Sequence, residues 1–464
     1  MDQTKGIFST APGLDVESSS AETPPEPEGD GSGLRLAEID GVLVPEAPSG
    51  LDDTGIDPEV LLNLALKLAY ITPHFTTDSC AKALHLPLPM IADLLEQLRA
   101  EKLIEILGHL GPFNYRFRIT QPGRERGEWL MAISGYVGPA PVSVQAYSSM
   151  LQQQAPRLPE ASAQDVAAAI ADLVLPEHAT EIAGLATSSG RSLFLYGPPG
   201  NGKTSLGKLL HQALRGSLWI PHCLGIENHI IRVFDRHCHI DAPEDVPAEA
   251  LPRYDRRWAR IRRPFVMVGG ELTLEDLDLI FDSARGYYEA PLHFKANGGL
   301  FLLDDFGCQR TPSSELLNRW IVPLEHHVDY LTLKTGQQIQ VPFRHLLIIS
   351  TNIDPEKVMT PGLMRRMGYR LCMANPSPEQ YARIFDRYAA GRGIEVPPGL
   401  VERLLARYRA EGRALHSCEP RDLIERACDM CNYRGRPVEL TEETLTIAWA
   451  GYFVDKEPDP PGIQ

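Results

Sequence analysis

The 464-residue sequence has few cysteines, no long apolar run and no excess of positive charge. No stretch reaches the roughly 18 uninterrupted apolar residues of a membrane helix. Runs such as Gly299–Leu303 and Leu346–Ile349 are short and end in polar residues, which argues against membrane insertion. The opening MDQTKGIFSTAPGLDVESSS lacks the apolar core of a secretory signal. Eight scattered cysteines do not make a disulfide framework; reduced thiols in a cytoplasmic protein fit them better. The net charge of −16 disfavours non-specific nucleic-acid binding unless a local basic patch exists. No repeat of solenoid period is present.

What is there is ordinary for a folded chain: 43% apolar and 23% charged residues. At roughly 150 residues per domain, the length allows about three domains. Residues 1–50 hold ten acids, two bases, seven Gly, six Pro and the single aromatic Phe8. Such a segment buries too little apolar surface to offset its ordering entropy, so a disordered acidic tail is expected. The last residues, 456–464, read as a second loose tail.

Residues 51–138 read as a small α+β domain. Asp57 and Pro58 open a helix bearing Leu61, Leu64, Ala65 and Leu68 at helical spacing. Helices near Thr77–Leu84 and Pro89–Lys102 follow, then strands Leu103–Leu107 and Asn114–Thr120, then a helix over Arg124–Ser134. Three helices and a hairpin resemble a winged-helix domain. Its third helix exposes Asp93, Glu96, Arg99, Glu101 and Lys102, not a basic face, so protein docking is preferred to DNA contact. Residues 139–164 read as a Pro-, Ser- and Gln-rich linker. From 165 to 376 apolar strands alternate with helical segments, the pattern of a parallel α/β sheet. Residues 377–455 are helical in pattern.

The chemistry concentrates after the apolar run Ser192–Tyr196. There Gly197, Pro198, Pro199, Gly200, Asn201, Gly202, Lys203 and Thr204 spell G-x-x-x-x-G-K-[ST], followed by Ser205 and an amphipathic segment. Strand before and helix after are the context this phosphate loop requires. Glycines let backbone N–H groups turn inward around a phosphate, and the helix aims its positive end at the same anion. Lys203 would reach the β- and γ-phosphates of ATP, and the Thr204 hydroxyl would meet Mg²⁺. A second apolar run, Leu300–Leu303, ends in Asp304 and Asp305. Asp304 would hold the Mg²⁺ shell and Asp305 would orient the attacking water. A third run, Leu346–Ile349, leads to Asn352, placed to hold water or γ-phosphate. Arg365 and Arg366 follow. A guanidinium aimed at a neighbouring subunit's γ-phosphate would stabilise transition-state charge. Arg421, in Glu419–Leu423, could reach the bound nucleotide.

On these residues the chain resembles an AAA+ ATPase. GPPGNGKT is similar to the Walker A loop, LFLLDD to Walker B, IISTN to sensor 1, LMRRMGYR to the arginine-finger segment and EPRDL to the sensor 2 helix start. The resemblance spans residues 170–455 and departs from the family at Asp305, where Glu is usual. Arg366, followed by Met367-Gly368, is favoured over Arg365 as the finger. The stretch from Lys295 to Asn352 is similar to MoxR-type ATPases and enhancer-binding activators, in which a β-hairpin precedes sensor 1. Here Asp329–Leu333 and Gln338–Phe343 would be its strands. The activators' GAFTGA loop is absent. The resemblance implies a P-loop parallel sheet with an all-helical lid, ATP and Mg²⁺ as cofactors, and a homo-oligomeric ring, most often a hexamer.

Cys428-x-x-Cys431 with Cys418 and His416 suggests zinc, but lies in a helical pattern without a second pair, so buried core thiols are preferred. Arg253–Arg263 (RYDRRWARIRR) reads as a solvated basic helix face, with nucleic acid or an acidic partner as the alternative. Together these features predict an ATP-hydrolysing remodeller of a protein substrate that docks on 51–138. A DNA-processing ATPase and a non-hydrolysing ATP-dependent scaffold are the rival readings.

Overall fold

Five short apolar segments, Leu193–Tyr196, Phe265–Val268, Leu300–Leu303, Leu346–Thr351 and Tyr369–Cys372, lie side by side as one parallel sheet. The computed structural model describes residues 33–158, 160–251 and 253–453. The Leu300–Leu303 strand pairs with Phe265–Val268 on one side and Leu346–Thr351 on the other; Leu193–Tyr196 lies between Leu346–Thr351 and Tyr369–Cys372. Helices cover both faces, which is why the central strands read as continuous apolar runs. Phe194, Leu195, Phe301, Leu302, Ile348 and Ile349 have no exposed surface. Four helices, Pro378–Gly391, Leu400–Ala410, Glu419–Tyr433 and Glu442–Tyr452, follow with their own core around Tyr381, Phe385, Tyr408 and Trp449. The architecture is the α/β phosphate-loop sheet with a helical C-terminal part.

A second sheet was not legible in advance. Its order is Ile280–Asp282, Tyr287–Glu289, His229–Arg232, Cys223–Ile226 and Val142–Ser143, with mixed strand directions. A ribbon of Ser217–Pro221 with Trp258–Arg262 adjoins it. Trp219 and Trp258 fill the core between them.

Three expectations change here. The expected acidic tail 1–50 is not wholly a tail. Leu36–Ile39 and Val42–Pro45 form an antiparallel hairpin, because Leu43 and Val44 supply the apolar surface that the overall composition conceals. Both are buried, and the Leu43 carbonyl accepts the Trp219 indole N–H at 2.7 Å. Residues 1–32 and the expected tail 456–464 lie outside the described residues. The linker 139–164 is largely structured: Val144–Gln154 is a helix capped by Ser143, and Tyr147, Met150 and Leu151 are buried in the second core. The basic run Arg253–Arg263 is not a helix face. Trp258–Arg262 is a strand, and Arg257 is buried in an ion pair with Asp255 while donating to Thr54 O and Pro141 O.

Residues 51–138 fold as helices Pro58–Ile71, Thr77–Leu84 and Leu88–Ala100, a hairpin Ile104–Gly111 and Asn114–Ile119, a short strand His74–Thr76 against it, and helix Gln121–Ile133. Their core is not self-contained, because Cys223, Ile230 and Tyr287 of the second sheet complete it.

Candidate active site

The glycine-rich loop leaves the carboxyl end of Leu193–Tyr196 and enters helix Lys203–Ala213, whose N-cap is Gly202 in a left-handed conformation. Gly197 cannot be replaced without strain: φ is 134°, and an added Cβ would lie 2.5 Å from Met373 O. The helix start directs free N–H groups and its positive end toward the space above the loop, a ready anion site.

Lys203 is buried, and its ammonium donates to the Gly197 and Pro198 carbonyls at 2.9 and 2.8 Å. Burial lowers its pKa, opposed by the nearby charges of Asp305 and Asp304. The Thr204 hydroxyl donates to Asp304 Oδ2 at 2.7 Å, and the Ser350 hydroxyl to Asp304 Oδ1. Two hydroxyls and a carboxylate thus converge where the sheet strands end. This hard-oxygen set suits Mg²⁺, which takes one or two carboxylates and fills the rest of its shell with water and phosphate.

Asp305 is exposed and held at φ 47°, a left-handed conformation that a non-glycine residue adopts at a cost. It turns the carboxylate out of the strand line, where Asn352 Nδ2 donates to Oδ1 at 2.9 Å. Asp305 and Asn352, read from the sequence separately, are thus in contact. Pro199 and Gly200 lie exposed on the loop, and Ser205 is exposed on the first helical turn.

Arg421 stands in the first turn of Glu419–Tyr433, with its guanidinium on neighbouring Asp422. No contact joins it to the loop among the described residues. Arg365 and Arg366 follow the short helix Pro361–Met364. They line a cleft with Ser192, Gly299, Leu346 and Gly368, residues at the amino-terminal ends of the strands. Both arginines therefore lie at the sheet edge opposite Lys203. Arg366 donates to Glu325 at 3.1 and 2.9 Å.

Some residues do something here that the sequence did not signal, although Asn201 is legible as part of the phosphate loop and Cys418 as a core thiol. Asn201 is buried and joins the loop to the helical part: it donates to Asn375 Oδ1 at 2.8 Å and accepts the Ser417 N–H at 3.1 Å. Cys418 packs against Gly200, where an added Cβ would lie 2.6 Å from its Sγ. Ser350 belongs to the ISTN motif but was given no role of its own. Cys428 and Cys431 are buried in the Glu419–Tyr433 helix, as core thiols should be. The expected hairpin is present as Val328–Thr332 and Gln338–Pro342. Its Leu331, Ile339 and Val341 pack into the core of the second sheet.

A family described as a domain of unknown function (DUF8689) matches residues 377–451. No curated protein matches the chain. Similar solved structures include the RuvB Holliday junction branch migration motor of Thermotoga maritima, 14% identical over 61% of this chain and 70% of that one, TM-score 0.37. NtrX of Brucella abortus in complex with ADP is 16% identical over 62% and 59%, TM-score 0.38. In complex with ATP it is 15% identical over 70% and 61%, TM-score 0.35.

Proposed function

We propose that this chain is an AAA+ ATPase that binds ATP and Mg²⁺ with Gly197–Ser205 and Asp304, and hydrolyses ATP at a site shared between neighbouring copies. The observation that carries this reading is the opposed placement of its parts. Lys203, Thr204, Asp304, Asp305 and Asn352 converge at one edge of the parallel sheet, and Arg365 and Arg366 line the other. An arginine at the far edge serves a nucleotide held by another copy, and repetition of that head-to-tail contact closes a ring. A hexamer is the form the resemblance implies. Lys203 holds the β- and γ-phosphates, Asp305 and Asn352 orient the attacking water, and Arg366 supplies charge in trans. Arg421 completes the site when the helical part closes on the loop. Asn201 and Cys418 are the present contacts across that joint.

The substrate we propose is a protein in the cytoplasm, docked on residues 51–138 in their winged-helix role. The hairpin there exposes Ile106, Leu107, Leu110 and Phe113, the last 79% exposed. Such a surface suits an apolar partner better than phosphates. The DNA-processing alternative loses part of the basic run it drew on, because Arg257 is buried with Asp255 and Arg260 stacks over Trp219 at 5.3 Å.

Arg366→Ala should keep ATP binding and lose most turnover; trans-acting arginines are worth roughly 10³–10⁵ in rate. Mixing it with Lys203→Ala subunits should return activity, since an intact pocket then faces an intact finger. Co-assembly without recovery would remove Arg366 from this role and leave Arg365. Full turnover by Arg366→Ala alone would end the shared-site mechanism.

A further inference from the structure

The cleft at the amino-terminal edge of the sheet holds more positive charge than a single finger needs. It has a volume of about 750 Å³. Arg191, just before the Leu193–Tyr196 strand, lines it together with Arg344, Arg365 and Arg370. All are exposed. None of these guanidiniums has an ion pair or hydrogen bond among the described residues, although the chain as a whole is acidic at −16. Arg366 adds a further guanidinium, bound to Glu325, and Glu160 is the acid along the rim. Behind Arg344, His345 lines the cleft with both ring nitrogens buried and unpartnered.

Like charges gathered without counter-charges repel one another, so folding alone gives no reason for the cluster. Guanidiniums that line one cleft from separate segments suit an anion with oxygens on several sides. We infer that this cleft is a receptor for a polyphosphate chain, engaged by Arg191, Arg344 and Arg370 in addition to Arg365 and Arg366. The inference deepens the shared-site reading and rests on it for one source of the ligand, the triphosphate held by the next copy. The other source is free polyphosphate or nucleotide entering the cleft from solution. Single-stranded nucleic acid fits less well: its grooves offer exposed aromatic platforms for bases, and this cleft is lined by no Tyr or Trp and by one Phe, Phe343, which is buried. An acidic peptide spreads its charge along a chain, whereas these arginines line a single cleft from four separate segments.

The test uses the full chain and the triple substitution Arg191→Ala/Arg344→Ala/Arg370→Ala, all exposed positions. One arm titrates inorganic tripolyphosphate into Lys203→Ala protein, in which the chain's own loop is disabled. Binding at one site per chain, weakened roughly tenfold for each guanidinium removed, identifies free polyphosphate as the ligand. The other arm mixes triple-substituted subunits with Lys203→Ala subunits. Turnover that is low for each alone and returns on mixing identifies the neighbour's triphosphate. Either result supports the inference. It is overturned if the triple variant keeps wild-type turnover and Lys203→Ala protein does not bind tripolyphosphate. It is also overturned if the cleft prefers an oligonucleotide or poly-glutamate to tripolyphosphate. Failure of the underlying ATPase reading looks different: wild-type protein would neither bind nor turn over ATP, whatever the tripolyphosphate titration gave.

Discussion

The chain contains two five-stranded sheets of opposite character. In the parallel sheet, the strands Leu193–Tyr196 and Leu300–Leu303 are uninterrupted apolar runs, and each ends in a chemical motif. In the mixed sheet, strands of two to four residues come from positions between 142 and 289 and carry no motif. The parallel sheet positions the candidate site. The mixed sheet joins the N-terminal hairpin, the helices of 51–138 and the hairpin before Leu346 into shared cores. The candidate site and the packing that ties in the N-terminal elements thus lie on separate sheets, and perturbing one should leave the other largely intact.

The largest expected separation comes from Lys203→Ala. Losing a charge-assisted contact to phosphate costs about 1.5–3 kcal/mol or more, so nucleotide titration should show binding abolished or severely weakened. The melting temperature should barely change. A large fall in melting temperature would mean that Lys203 serves the fold through the Gly197 and Pro198 carbonyls.

The converse variant is Arg257→Met. It strands the Asp255 carboxylate, whose exposure is 4% or less, without its partner. Breaking a buried pair from one side costs roughly 3–5 kcal/mol. Thermal melts should show strong destabilisation, and limited proteolysis should release the segment around residues 33–57, because Thr54 loses its contact too. ATP affinity at low temperature should be retained.

A smaller loss is expected on removing residues 1–50. The hairpin takes with it buried Leu43 and Val44 and the acceptor of the Trp219 N–H. A buried donor left unpaired costs about 1–3 kcal/mol. A melting temperature equal to that of the full chain would mean that the hairpin adds nothing to the second core.

The smallest effect is a pH dependence to which two buried histidines on the mixed-sheet side contribute. Burial pushes His239 down to about 4, and its Nδ1 accepts the Asp235 N–H at 3.0 Å, a role open only to the neutral ring. Burial, aided by His85, likewise pushes His222 down to about 4. An unfolded histidine titrates near its ordinary value of about 6.5, so the unfolded chain takes the proton first. The stability from these neutral rings is complete above about pH 6.5, is lost as pH falls toward about 4, and changes no further below that. Thermal melts between pH 7 and 5 should decline less steeply for His239→Gln than for the wild type.

Legibility followed the same division. The loop, the Asp304–Asp305 pair and Asn352 were readable because local motifs sit at the ends of short, uninterrupted apolar runs. Their meeting in space follows from parallel pairing. The hairpin 36–45 was hidden because two buried residues, Leu43 and Val44, are outweighed by the acidic, proline-rich composition around them. Helix Val144–Gln154 was hidden because its glutamines mask a buried face of Tyr147, Met150 and Leu151. Arg253–Arg263 misled because charge density says nothing of which guanidiniums are buried: Arg257 is satisfied by Asp255 and two carbonyls contributed from far along the chain.

The most direct test of the central claim is phosphate release from ATP with Mg²⁺ by the purified full chain, measured beside nucleotide affinity, for wild type and Asp305→Asn. The wild type should bind ATP and release phosphate. Asp305→Asn should bind ATP with similar affinity and release little, because the amide keeps the contact to Asn352 but lacks the carboxylate charge that orients the attacking water. A wild-type protein that binds no ATP would contradict the site, and one that binds ATP without releasing phosphate would leave a scaffold in place of an enzyme.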